Sequence, residues 1–149
     1  MIRAEEKEEE RIGRMILSSA MKVHSALGCG LLESTYEVCL AHELSKQGVP
    51  VERQVALPVT YDGIRLDAGY RLDIVVARKV IVEVKAVEKL QPVHTAQLLS
   101  YLKLSGCKLG FLLNFNVVHM KEGIKRIVNK LWVNCSIYRQ GRNGTRRNS

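Results

Sequence analysis

The chain has 149 residues, 46% apolar and 26% charged, with a net charge of +8; this is the composition of one ordinary globular domain and excludes a fibrous or low-complexity chain. No apolar run approaches the roughly 18 residues of a membrane span, and the charged start MIRAEEKEEER lacks a secretory apolar core, so a cytoplasmic protein with no membrane partner is expected. Five glutamates fall within residues 5–10, so the rest of the chain is more basic than the total suggests, which favours a polyanionic partner, although plain solubility would account for the charge as well.

The four cysteines, Cys29, Cys39, Cys107 and Cys135, show no CxxC spacing. Reduced thiols are expected in preference to a zinc site.

Residues 8–27 carry Ile12, Ile16, Ser19, Val23 and Leu27 near helical spacing, with Gly28 as the stop. A second helix is predicted over 31–47, striped by Leu32, Tyr36, Leu40 and Leu44 and ended by Gly48 and Pro50. The period then changes. VERQVALPVT (51–60) reads as a strand, with Pro58 pointing to an edge or a bulge. Asp62-Gly63 signals a hairpin, and 64–76 reads as the return strand, bent near Gly69. VIVEVKAV (80–87) is strongly β-branched and reads as a central strand. Pro92 opens a helix to about Leu104, and LGFLLNF (109–115) is a buried strand. Within 124–133, Arg126–Val128 is expected to be a strand. Residues 1–138 are read as one α/β domain and 139–149 as a basic tail too rich in Gly, Asn, Ser and Arg to build a core.

One acid and one lysine interrupt VIVEVKAV. Strand side chains alternate, so Glu83 and Lys85 share a face. If the chain reverses through 77–79, residue 76 pairs with 80 and Asp73 with Glu83, their β-carbons about 5 Å apart. Two carboxylates so close repel unless a divalent cation binds both or one keeps its proton. A salt bridge to Lys85 is the competing explanation, and this pattern alone weighs the two evenly. Elsewhere Glu33 and Tyr36 lie three apart on one helix surface, and His94, Gln97 and Tyr101 follow at i, i+3, i+7 on another. A polar helix edge accounts for His94.

With Gly30, Glu33 and Tyr36, the chain resembles the GxxExxY proteins, a branch of the PD-(D/E)XK nuclease superfamily. The resemblance covers about Ile12 to Val128 through LGCGLLESTYE, YRLDIVV, VIVEVKAVE, HTAQLLSYL and GFLLNF. Gln97 and Tyr101 also match the QxxxY motif of RecB-like nucleases, some of which hold an iron–sulfur cluster on four cysteines. The cysteines here are too scattered to favour one.

The resemblance implies a restriction-endonuclease-like core (helix, three-stranded unit, helix, strand) preceded by an extra N-terminal helix. It implies Mg²⁺ or Mn²⁺ held by Asp73, Glu83 and Glu33, Lys85 positioning or activating the attacking water, and Gln97 orienting the lysine or the water. Tyr101 would touch a phosphate, with Tyr36 as a second substrate contact. Asn116 stands where that branch is expected to carry glycine. The implied activity is hydrolysis of phosphodiester bonds in DNA or RNA. The alternative is a non-cleaving nucleic-acid-binding module of the same fold, and a homodimer stays open.

Overall fold

A computed structural model of the chain describes residues 4–130. The 139–149 tail and Cys135 lie outside the described residues. The order is α1 (Ala4–Leu27), α2 (Glu33–Lys46), β1 (Val51–Ala56), β2 (Val59–Tyr61), β3 (Ile64–Leu66), β4 (Arg71–Val76), β5 (Val80–Lys85), α3 (Pro92–Ser105), β6 (Leu109–Asn114), a 3-10 turn (Met120–Gly123) and β7 (Ile124–Val128).

Five strands form one mixed sheet in the order β1-β4-β5-β6-β7. Only β5 and β6 run parallel, and α3 supplies the crossover that a parallel pair requires. This is the restriction-endonuclease-like core, with α1 as the extra helix. On β5 the alternation divides the core. Val80, Val82 and Val84 pack with Ile12, Ile16, Tyr36, Leu40 and Leu44 of α1 and α2. Ile81 packs on the other face with Leu98, Tyr101 and Leu102 of α3. Glu83 and Lys85 therefore belong to the α3 face, as their odd numbers require.

Several boundaries differ from the sequence reading. Helix α1 starts at Ala4 rather than residue 8, because acidic residues in the first turns favour a helix N-terminus. The 51–60 strand breaks at Leu57-Pro58, leaving β1 as the sheet edge and β2 as part of a separate hairpin. The 64–76 strand divides at residues 67–70, where Gly69 takes φ +85°, so the bend is a full interruption. In the last segment the strand starts two residues early, at Ile124.

Candidate active site

The β4–β5 reversal puts Ala77 and Arg78 at φ +54° and +56°, and Val76 faces Val80 as the spacing required. The ladder ends at Ile74–Val82. One step further the side chains of Asp73 and Glu83 take over from the backbone. The N–H of Asp73 donates to Glu83 Oε2 at 3.0 Å, and the N–H of Val84 donates to Asp73 Oδ2 at 2.9 Å. Each acid thus spends one oxygen fixing the opposite strand and keeps the other.

Glu83 is only 4% exposed. Burial, and then the Asp73 carboxylate beside it, push its pKa from 4.5 up to about 8, against the pull of the Asp73 N–H and of Lys85. The two carboxyl groups are close enough to share a proton. Asp73 is pushed up as well, first by burial and then by Glu37 and Glu33, while the Val84 N–H and Lys85 pull it down. Lys85 acts on both acids through space and, among the described residues, closes no ion pair with either. The salt-bridge explanation therefore lacks its bridge.

Glu33 opens α2, and its Oε2 accepts the N–H of Ala86 at 3.0 Å, one residue past Lys85. Tyr101 lies on α3, and its phenol is pushed up by burial, then by Glu83, Tyr70 and Asp73. Glu33, Asp73, Glu83, Lys85 and Tyr101 are thus gathered at one end of β5. Gln97 is exposed one turn before Tyr101 and makes no hydrogen bond to the acids or to Lys85 among the described residues. His94 Nδ1 accepts the N–H of Gln91 and caps α3.

Tyr36 corrects the expectation of a substrate contact. It is 0% exposed and stacks on Phe115 at 4.6 Å between ring centroids. Its hydroxyl donates to the Gly28 carbonyl at 2.6 Å and accepts the Leu31 N–H at 3.1 Å. No surface is left for a ligand. The motif tyrosine instead anchors the loop from which Glu33 starts, and Gly30 within it takes φ +102°.

Two groups of supporting residues escaped the sequence reading. Buried Glu37 accepts hydrogen bonds from Arg53 Nε at 3.1 Å and from Gln54 Nε2 at 3.0 and 3.1 Å. Gln54 is held at φ +54°, and its step is missing from the β1–β4 register, opposite Asp73. That conformation costs roughly 1–2 kcal/mol for a residue with a side chain. Buried Asn114 donates to the Val87 carbonyl at 3.0 Å, and its Oδ1 accepts the N–H groups of Val87 and Asn116. It fixes the chain just beyond Lys85. The only signal for either group was a polar residue in an otherwise apolar context. Asn116 keeps an ordinary negative φ, so no glycine is required there.

A family model of the PD-(D/E)XK nuclease superfamily matches residues 10–127. The chain belongs to that superfamily. No curated protein and no solved structure matches it. The matched span of this PD-(D/E)XK chain runs from α1 to β7 and contains every residue of the site. Members of the superfamily typically use divalent metals, and the donor set can be tested for that. Among the described residues, no three His, Cys, Asp or Glu side chains form a ready-made cage. The Asp73–Glu83 pair supplies two hard oxygen donors whose mutual repulsion a cation would relieve. Mg²⁺ is commonly held by one or two carboxylates with water completing its shell, so the residues present fit such an ion. No helix of the described residues is long and apolar enough to cross a membrane.

Proposed function

We propose that this chain hydrolyses phosphodiester bonds in nucleic acid with the help of Mg²⁺ or Mn²⁺, as a member of the GxxExxY branch. The branch is read from Gly30, Glu33 and Tyr36. One observation carries the proposal. A buried carboxylate, Glu83, and a half-buried one, Asp73, are braced against each other, and Lys85, two residues beyond Glu83, closes no ion pair among the described residues. An arrangement so costly for an apo protein is easiest to understand as a cation site.

Asp73 and Glu83 would hold the ion, with Glu33 adding a ligand directly or through water. When bound, the ion supplies charge to a non-bridging phosphate oxygen and acidifies water. Lys85 adds a fixed positive charge where negative charge develops and positions the attacking water. Gln97, on the exposed rim, orients that water or the lysine. Tyr101 donates its hydroxyl to a phosphate. Tyr36 contributes by holding the Gly28–Leu32 loop, so that Glu33 reaches the end of β5.

The test is a screen of purified protein on single- and double-stranded DNA and RNA, with Mg²⁺, Mn²⁺, Ca²⁺ and chelator in turn. Cleavage with Mg²⁺ or Mn²⁺, lost with chelator and in Glu83→Gln, is expected. Binding without cleavage under every condition would favour the non-cleaving module.

A further inference from the structure

The edge strand β1 and its neighbour β4 change sides together at one step. Alternate residues of a strand share a face, so Val51 should pack with Val55, and Leu72 with Ile74. They do not. Val51 and Ile74 pack with α1 and α2, whereas Val55 and Leu72 pack with α3. Arg53 and Gln54 are adjacent, yet both reach the Glu37 carboxylate of α2. The change falls between Gln54 and Asp73, whose pairing is the step missing from the β1–β4 register.

A left-handed backbone at Gln54, φ +54°, makes this turn, and a residue with a side chain does not adopt it unaided. Glu37 supplies the restraint. It is 6% exposed, pairs with Arg53 Nη2 at 3.1 Å and accepts Gln54 Nε2 on both oxygens. The ladder from β4 to β5 stops at the same place, at Ile74–Val82. The side chains of Asp73 and Glu83 occupy the opening that follows. Glu37 makes no hydrogen bond to either acid among the described residues and acts on Asp73 only through space.

We propose that Glu37, Arg53 and Gln54 form a clasp that positions Asp73 for the cation; this rests on the cation-site reading above. With the clasp closed, β1 leaves Asp73 unpaired, β4 stays turned, and the Asp73 carboxylate keeps its reach to the Val84 N–H. With the clasp open, Gln54 relaxes to extended backbone and the missing step can pair. The shape that binds the ion then becomes a minor population, and the apparent affinity falls by that fraction. Glu37 is thus a positioning residue, and its instrument is the backbone of Gln54.

The experiment measures Mn²⁺ affinity of the full chain from the electron paramagnetic resonance signal of the free ion, with folding checked by far-UV circular dichroism. Gln54 is exposed, so its variants should fold, and both keep the Glu37 charge. Gln54→Ala loses the clasp and keeps the cost of positive φ; it should bind Mn²⁺ about tenfold more weakly. Gln54→Gly loses the clasp but takes positive φ freely, and should bind within about twofold of wild type. Glu37→Ala should weaken binding as Gln54→Ala does, and adding Gln54→Gly should recover most of that loss. Should Glu37→Ala not fold, the two Gln54 variants decide. Equal affinities for Gln54→Ala and Gln54→Gly, or no recovery in the double variant, would overturn the proposal while leaving the cation site intact. Failure of the wild type to bind Mn²⁺ would remove the cation-site reading, and this proposal with it.

Discussion

Glu83→Gln should stabilise the metal-free protein at alkaline pH and leave it unchanged in acid. The folded chain holds the Glu83 proton up to about pH 8, whereas the ordinary value is 4.5. Between these values the folded state binds more protons than the unfolded one, so this group's contribution to stability falls as pH rises through that window. Its full cost, on the order of 4 kcal/mol, is reached above pH 8. Asp73 is shifted in the same direction and adds to the slope. Glutamine keeps the carbonyl oxygen that accepts the Asp73 N–H. It also offers Asp73 an N–H in place of the shared proton, so the penalty disappears without a new unsatisfied group. Thermal unfolding in chelator at pH 5 and pH 8.5 reads the effect. The variant should melt roughly 10 °C above the wild type at pH 8.5 and within about 2 °C of it at pH 5. A variant less stable at both pH values would show that Glu83 is paired rather than repelled, and the cation-site argument would lose its basis.

The same pair predicts that Mg²⁺ raises the wild-type melting temperature at pH 8 and much less at pH 5, where Glu83 keeps its proton and offers the ion no charged oxygen; an equal rise at both would place the ion elsewhere. Tyr36→Phe should cost about 1 kcal/mol through its lost hydroxyl bonds and leave nucleic-acid affinity unchanged, whereas weaker binding in this variant would revive a substrate contact. Gly123→Ala should destabilise by about 3 kcal/mol or more, because a β-carbon there would meet the Asn114 carbonyl oxygen at 2.0 Å; a wild-type denaturation curve would mean that β6 and the 3-10 turn part readily.

The fold was legible because its elements carry strong local signals. Asp62-Gly63 places both residues at positive φ, +52° and +77°, and the β-branched run 80–85 forms the central strand. Alternation, together with the turn at 77–79, was enough to set Asp73 against Glu83. Residues whose role depends on a distant partner were not legible. Glu37 looks like any helix acid until Arg53 and Gln54 close on it from the sheet edge. Tyr36 was misread because a motif position suggests contact with substrate, whereas burial and the Gly28–Leu31 bonds are tertiary facts. The separation of the β2–β3 hairpin from the main sheet was hidden by reading 51–60 and 64–76 as long strands, which gave Ile64 and Leu66 a sheet to join.

The most direct test of the central claim compares wild type and Lys85→Ala in one experiment that reads affinity and single-turnover cleavage on the same labelled oligonucleotide with Mg²⁺. Lys85 has no ion pair to lose among the described residues, and its charge is needed most in the transition state. Affinity should therefore stay within a few-fold while the cleavage rate falls by about two orders of magnitude or more. A Lys85→Ala protein that cleaves at the wild-type rate, or whose loss lies entirely in binding, would contradict the assignment of the chemistry to Asp73, Glu83 and Lys85.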